Sequence, residues 1–236
     1  MEDKGRKLTV SVIVPCHNAE HYLAAALDSL FGQDRPPDEV ILVDDGSTDG
    51  SAGIAAGYMP GLRYHAQACS GAGSARNAGI RLATGDCIGF LDADDLWPAN
   101  SLRHRVEALE ANSALNGAAG LIEHFRTDSS GNDSDTSSLP PVQPTRLLGA
   151  LLVRRAVFDR IGLFDASGRL GEAFDWLARL DDNAETVSVL DQIVLRRRVH
   201  AMNVGSAKRD RRGDYLHVLK SVIDRRRAAA QSAGPG

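Results

Sequence analysis

Three aspartates in four residues, Asp92-Ala93-Asp94-Asp95, stand directly after an apolar run, Cys87-Ile88-Gly89-Phe90-Leu91. Carboxylates spaced D-x-D can share one hard divalent cation. Mg²⁺ or Mn²⁺ held this way typically keeps substrate phosphates among its remaining ligands. Position matters as much as composition. A short apolar run that ends in acidic residues reads as a buried strand whose carboxylates emerge at its C-terminal edge. Open α/β sheets bind their ligands at that edge. Standing alone, such a triplet is more often a solvated acidic turn, so its meaning depends on what else the chain brings to the same place.

Two further segments bring polar turns there. Val10-Ser11-Val12-Ile13-Val14-Pro15-Cys16-His17-Asn18 is a β-branched run stopped by a proline. Glu39-Val40-Ile41-Leu42-Val43-Asp44-Asp45-Gly46-Ser47-Thr48-Asp49 is a second apolar run ending in an acidic, Gly/Ser-rich turn. A helix-like segment follows each. Ala19 to Gln33 places Tyr22, Leu23, Ala26, Leu27, Leu30 and Phe31 near helical spacing. Ser47 or Thr48 is placed to cap a helix running toward Gly57. After a third strand, Leu62 to Ala66, Gly71-Ala72-Gly73 opens a helix through Leu82. Strand and helix in strict alternation predict an α/β protein, a mostly parallel sheet flanked by helices, with all three polar turns on one edge.

The chain resembles the family 2 glycosyltransferases. The residues that match are Val12-Ile13-Val14-Pro15-Cys16-His17-Asn18, Val43-Asp44-Asp45-Gly46-Ser47-Thr48-Asp49-Gly50, Gly73-Ser74-Ala75-Arg76-Asn77-Ala78-Gly79, Ala83-Thr84-Gly85-Asp86 and Phe90-Leu91-Asp92-Ala93-Asp94-Asp95. They come in the family's order and at its spacing, and five ordered motifs are far more specific than one Gly-rich loop. The resemblance is strong over residues 8 to about 110 and looser to about 206. It implies the Rossmann-like GT-A fold and a metal-dependent, inverting transfer. The sugar would come from a nucleotide donor, UDP-linked by expectation, and go to a glycan, lipid-linked or peptide acceptor.

Transfer from such a donor requires that the base and ribose be held, the departing diphosphate neutralised and the acceptor proton removed. By resemblance, Asp45 accepts from uracil N3–H, and Asp94 binds the Mn²⁺ or Mg²⁺ that bridges the phosphates. Asp92 touches ribose or a metal-bound water. The bound cation would act as a Lewis acid on the leaving UDP. Asp44 stabilises its own turn. His17 stands where many relatives place an aromatic ring against the base; it either stacks there or is a neutral surface histidine. Pro15 and Asn18 shape that loop. Gly71 and Gly73 admit close backbone approach, and the helix they open offers N–H groups to phosphate. Arg76, one turn in, is either close to the nucleotide, as in the family, or a plain surface arginine. Asp95 either caps the next helix or touches the sugar, and Trp97 packs. His200 lies in Arg198-Val199-His200-Ala201-Met202-Asn203-Val204-Gly205-Ser206, which resembles the family's Arg-x-His-x-x-Asn-x-x-Ser tail. It either reaches the metal or diphosphate as a neutral imidazole or faces solvent.

The general base departs from the pattern. Inverting relatives have Glu-Asp at the start of a helix that ends in an apolar-Arg pair, and the Asp takes the proton. Here the segment is Gly171-Glu172-Ala173-Phe174-Asp175-Trp176-Leu177-Ala178-Arg179, and Ala173 holds the Asp position. Glu172, one residue earlier, is the best substitute, because a base needs only hydrogen-bond reach. Asp175 could share a helical face with it, but a structural ion pair with Arg179 at i,i+4 is favoured. The loss at Ala173 also permits a rival from another class, a nucleotide-sugar-binding or partner-binding protein with weakened chemistry. A nucleotidyltransferase would want a Gly-rich basic loop after the first strand, which Pro15-Cys16-His17-Asn18 is not.

The remaining composition sets bounds. The 236 residues, 43% hydrophobic, suit one domain with an appendage. A net charge of −4 gives no nucleic-acid signal. No apolar stretch nears the ~20 residues that span a bilayer, and Met1 to Lys7 leads into no signal-like core, so a cytoplasmic protein is expected. Cys16, Cys69 and Cys87 are too few and scattered for a disulfide framework or a zinc site; Cys16 and Cys87 should pack and Cys69 be exposed. A tail over 1–7 precedes the main domain, 8–206, whose nucleotide-binding half spans about 8–110 and acceptor half about 111–206. The polar run from Thr127 to Ser138 reads as a loop or long hairpin tip. The acceptor half should hold a strand over Leu147 to Val153, a helical turn from Arg154, the helix containing Phe174 to Arg179, and strands over Thr186 to Leu190 and Ile193 to Val199. Within 207–236, a basic amphipathic helix is expected from Asp210 to about Arg227. The basic residues of this C-terminal stretch are Lys208, Arg209, Arg211, Arg212, Lys220, Arg225, Arg226 and Arg227. Its apolar stripe packs on its own domain, the favoured alternative, or makes peripheral contact with the inner face of a membrane.

Overall fold

The computed structural model describes residues 7–127, 138–167, 171–200 and 219–228. The first half winds as the alternating pattern dictates. Strand β1 (Val10–Cys16) leads to helix α1 (Leu23–Phe31), β2 (Glu39–Asp45) to α2 (Ser51–Ala56), β3 (Leu62–Gln67) to α3 (Ala72–Leu82) and β4 (Cys87–Phe90) to α4 (Ser101–Ala111). The four strands are parallel in the order β3-β2-β1-β4. Cys16 pairs with Asp44 and Ile13 with Phe90. The turns after β1, β2 and β4 therefore leave the sheet at one edge.

β1, β2 and β4 are buried on both faces, as parallel strands covered by helices must be, whereas β3, at the end of the sheet, is part-exposed beyond Leu62. Side chains alternate across the sheet. Val10, Val12 and Val14 pack with Leu23, Leu27 and Leu30 of α1 and with Leu102 and Val106 of α4. Ile13, Ile41, Val43, Ile88 and Phe90 face the other way, toward Ala75 and Ile80 of α3. Gly79 lets α3 lie directly on β1, since a Cβ there would collide with Ile13. Trp97 is buried, as expected, with its indole N–H donating to Gly149 O at 2.7 Å and the Arg105 guanidinium 3.9 Å above its ring.

The second half extends the sheet with mixed polarity. It comprises β5 (Gly117–Phe125), β6 (Gln143–Thr145), a 3₁₀ turn (Leu148–Ala150), β7 (Leu152–Arg154), α5 (Ala156–Ile161), α6 (Glu172–Asp182) and β8 (Val187–Arg198). β7 is antiparallel to both β4 and β5, β6 is antiparallel to β5, and β8 is parallel to β5. A last helix, α7, covers 219–228. Val222 is buried against Ala178 of α6, Arg225 bonds Asp175 and Asp182, and Arg226 bonds Asp182. Leu219 and Ile223 of the same helix are exposed. The other residues of the expected basic helix, and 128–137 of the polar run, lie outside the described residues. Among those described, no helix is long and apolar enough to cross a membrane.

Several expectations need correction. Neither Ser47 nor Thr48 caps α2, which starts at Ser51 with Gly50 before it and no side-chain cap. Both are taken by Asn18 instead: Ser47 Oγ accepts from Asn18 N, and Thr48 N donates to Asn18 Oδ1. The strand expected over Leu147 to Val153 is a 3₁₀ turn followed by three residues of β7. The two expected final strands are one, β8, which absorbs the break as register shifts against β5 between Ala119 and Ile122. Strand β5 itself had no sequence signal, because Gly117-Ala118-Ala119-Gly120 shows no alternation. It forms because neighbours pair with both of its edges; a Cβ on Gly120 would already strike Gln192 O and Val194.

Candidate active site

The edge is built from the ends of β1, β2 and β4, and α3, α6 and the end of β8 close around it. Asp45 ends β2 and is 4% exposed. Its Oδ1 accepts from Gln67 Nε2 at 2.7 Å and Ser70 N at 2.8 Å, and its Oδ2 from Gly71 N at 2.7 Å. Gly71 has φ 93°, a conformation open to glycine, and this points its N–H at the carboxylate. The carboxylate is thus fixed before any ligand arrives. Asp44 secures the turn, accepting from Tyr64 OH at 2.7 Å and Ser47 N at 2.8 Å. Burial raises the Asp44 pKa, but the hydrogen bonds from Tyr64 and Ser47 outweigh it and hold the carboxyl below its ordinary range. The same bond pushes the Tyr64 phenol up to about 12.

Pro15 closes β1 opposite Val43. His17 is exposed and its Nδ1 lies 2.8 Å from Asp45 O. Asn18 takes a left-handed φ of 50°, which asparagine tolerates, and ties this loop to the β2 turn through Ser47 and Thr48. The cradle is therefore one hydrogen-bonded unit, from Pro15 to Asn18 across to Asp44 and Thr48.

Arg76 is not a surface arginine. Its side chain is 8% exposed and lies between two carboxylates, 2.7 Å from Glu172 Oε1 and 2.9 Å from Asp92 Oδ1. Phe164 packs under the guanidinium at 5.9 Å. Burial opposes its charge, but Asp92 and Glu172 outweigh that and keep the guanidinium protonated. Its Nε is buried without a hydrogen-bond partner among the described residues. Gly73 permits this closure, since a Cβ there would meet Asp165 O and the Glu172 side chain.

Beyond Arg76, the D-x-D residues diverge. Asp92 turns to Arg76, whereas Asp94 Oδ2 lies 3.0 Å from His200 Nε2. His200 does not face open solvent: its ring stacks on Tyr22 at 4.6 Å. The end of β8 is docked on the turn by Arg198, whose N donates to Asp95 Oδ1 and whose Nε donates to Asp94 O. Asp95 is 5% exposed and neither caps α4, which Asn100 precedes, nor faces the edge. Burial first, then Asp92 and Asp94, push its carboxyl well above the ordinary range.

Glu172 begins α6 with its side chain 12% exposed and bound to Arg76. Asp175 does not join it. Asp175 pairs with Arg179 at 2.9 Å, as expected at i,i+4, and with Arg225 of α7 at 3.1 Å. Ala173 packs against the core on the α3 side. Sequence reasoning missed Gln67, Ser70 and Tyr22 as parts of the edge. Gln67 and Ser70 gave no signal, being polar residues in a short strand end and loop; Tyr22 was readable only as part of a helical stripe.

Comparison with known proteins agrees with this geometry. The family model described as glycosyl transferase family 2 matches residues 11–160. The protein described as uncharacterized glycosyltransferase EpsJ, of Bacillus subtilis (strain 168), is 31% identical over 208 residues, which cover 78% of this chain and 59% of EpsJ. An uncharacterized glycosyltransferase of Rickettsia typhi is 28% identical over 205 residues, 81% of this chain and 64% of its own length. A third such relative, from Nostoc, is matched over 37% of its length, so this chain spans between 37% and 64% of these three relatives. Among solved structures, S. aureus TarS 1-349 in complex with UDP-GlcNAc gives a TM-score of 0.64 at 25% identity, over 82% of this chain and 59% of that one. The mannosyltransferase PcManGT from Pyrobaculum calidifontis, in complex with GDP-Man and Mn²⁺, gives 0.69 at 21% identity, over 94% and 66%. The parallel β3-β2-β1-β4 sheet with its acidic edge is the GT-A fold, and the chain belongs to glycosyltransferase family 2.

Proposed function

We propose that this chain transfers a sugar from a UDP donor to an acceptor hydroxyl, with inversion and with a divalent cation at Asp94 and His200. The observation behind this reading is the approach of Asp94 Oδ2 and His200 Nε2 to 3.0 Å at the edge that also presents the Asp45 cradle. An oxygen and a nitrogen donor this close fit a Mn²⁺ or Mg²⁺ ion that takes one or two protein carboxylates and completes its shell with phosphate and water. TarS and PcManGT were crystallised with nucleotide sugars, and PcManGT with Mn²⁺. Bound there, the cation would supply Lewis-acid stabilisation of the leaving diphosphate. Asp45 accepts from the base N–H, and His17 lies against the ring. Arg76 brings its guanidinium charge to the diphosphate. Glu172 takes the proton of the acceptor hydroxyl as its oxygen attacks the anomeric carbon, and the bond to the UDP oxygen breaks.

A second reading, a nucleotide-sugar binder with weakened chemistry, draws on the ion pairs of the two carboxylates near the Ala173 position. Glu172 is held by Arg76, and Asp175 by Arg179 and Arg225. One experiment separates the two. UDP release from a panel of UDP- and GDP-sugars with Mn²⁺ is measured beside UDP affinity in the same preparation. A transferase shows slow, metal-stimulated UDP release that Glu172→Gln lowers by ~10²–10⁴ with donor affinity kept. If the wild type binds UDP-sugar without releasing UDP, and Ala173→Asp gains release, the binder reading holds. If Glu172→Gln is unchanged and Asp175→Asn is inactive, the base is Asp175.

A further inference from the structure

Cys69 follows β3 and stands exposed beside the Asp45 cradle, while Cys16 and Cys87 are buried. A ring nitrogen of His17, a carboxylate oxygen of Asp45 and the Cys69 sulfur all lie within 4.8 Å of one another. Tetrahedral Zn²⁺, with bonds of about 2.0–2.3 Å, sets such ligands about 3.3–3.8 Å apart. Closing that gap takes about an ångström of movement, and His17 and Cys69 are both exposed side chains that little packing restrains.

The surrounding hydrogen bonds prepare two of the ligands. His17 Nδ1 faces the backbone Asp45 O, which can only accept, so Nδ1 carries the proton and Nε2 the lone pair. Asn18 agrees with that tautomer. Its Oδ1 accepts from Thr48 N at 2.8 Å, so its NH₂ is the group that meets His17 Nε2, at a long 3.3 Å. A histidine whose Nδ1–H is donated to a carbonyl, and whose Nε2 lone pair meets a long, easily displaced amide contact, has the orientation of a metal ligand. Asp45 Oδ1 already accepts two hydrogen bonds and Oδ2 one, which fixes the carboxylate and leaves a lone pair on Oδ2.

We propose that His17, Asp45 and Cys69 bind a thiophilic divalent cation of the Zn²⁺ class, with its fourth position open, and that this cation and a nucleobase exclude one another. Nitrogen and thiolate donors suit Zn²⁺ and Co²⁺, whereas the oxygen-rich Asp94 side suits Mn²⁺ or Mg²⁺. Binding releases the Cys69 proton. The metal site stands on the cluster itself; only the exclusion of a nucleobase rests on the role proposed for Asp45.

The test is a Co²⁺ titration of the full chain, in which thiolate coordination gives a sulfur-to-metal charge-transfer band in the near ultraviolet. The expected result is a saturable band that Zn²⁺ displaces. It should vanish in Cys69→Ser, weaken about tenfold or more in affinity in His17→Ala, and persist in Asp94→Ala. Uridine has no phosphate to chelate cobalt, and its affinity for the cobalt-free chain is measured first by calorimetry. Failure to bind uridine there counts against the nucleobase role of Asp45 and leaves the cobalt result to judge the cluster. Where uridine does bind, it should bleach the band. Absence of a band, a band that survives in Cys69→Ser, or a band that persists under saturating uridine overturns the proposal.

Discussion

Arg76→Met should destabilise the chain chiefly through Glu172. The two carboxylates on Arg76 are not equivalent: the Glu172 side chain is 12% exposed and that of Asp92 is 49% exposed. Removing the cation strands Glu172 in a nearly dry site, and breaking a buried pair from one side costs about 3–5 kcal/mol. Asp92 turns to water, and an exposed pair is worth about 0–1 kcal/mol. With a urea m-value of about 3 kcal/mol/M, the midpoint should fall by about 1–1.7 M. A double-mutant cycle isolates the pairs. Glu172→Gln in the Arg76→Met background should recover most of the loss, giving a coupling of about 2–3 kcal/mol. The cycle through Asp92→Asn should give no more than about 1 kcal/mol. A coupling to Asp92 equal to or larger than that to Glu172 would refute this account. So would an Arg76→Met midpoint within about 0.3 M of wild type. The outcome bears on chemistry, because a strong Arg76–Glu172 pair keeps the proposed base occupied until a diphosphate draws on the same guanidinium.

Three further outcomes follow from the same edge. Asp94→Ala should keep the fold but lose the Mn²⁺-dependent thermal stabilisation by UDP-sugar; unchanged metal dependence in a thermal-shift assay would remove Asp94 from the site. Asp45→Ala should weaken UDP binding by roughly 1.5–3 kcal/mol, the scale of a charge-assisted hydrogen bond, and equal calorimetric affinities would contradict its role. Asp95 has a raised folded pKa, so its ionisation costs stability at neutral pH, and that cost fades as pH falls and both states become protonated. Asp95→Asn, assayed in a chelator, should therefore be more stable than wild type at pH 7, with the gain lost below the ordinary carboxylate range; a gain independent of pH would point to a cause other than charge.

The parts of this fold that were legible in sequence are those fixed by local pattern. β1, β2 and β4 are apolar runs ended by Pro15, Asp45 and Asp92, and no neighbour is needed to read them. α3 was readable because Gly71-Ala72-Gly73 marks its start, and Gly71 does take a positive φ there. The elements that were not legible depend on partners distant in sequence. β5 is held by β7 and β8, and β8 stays continuous through Asp191-Gln192 because register shifts, not a turn, take up two extra residues before Ile193 and one after it. The site divides the same way. Asp45, Asp92 and Asp94 announce themselves by strand-end position. The burial of Arg76 could not be seen, because Glu172 lies 96 residues away. Asp95 looked like a cap or a sugar contact, yet the end of β8, 103 residues on, claims it.

The charges at the edge bear on the proposed divalent cation. Asp44, Asp45, Asp92, Asp94 and Glu172 all converge there, and a diphosphate would add more negative charge at close range. Arg76 is the cation that α3 brings to the edge, and two carboxylates already share it. If a diphosphate binds at this edge as proposed, each carboxylate it approaches repels it, by about 4 kcal/mol for a like pair at 4 Å and an effective dielectric near 20, against the charges of Arg76 and Arg198. A divalent ion held by Asp94 and His200, as proposed, would offset that repulsion. The Asp45 cradle would need no such help, because three N–H donors already hydrogen-bond its carboxylate and the base proposed for it is uncharged. Base recognition and diphosphate recognition should thus depend differently on metal: uridine should bind equally with and without Mn²⁺, and UDP should need it.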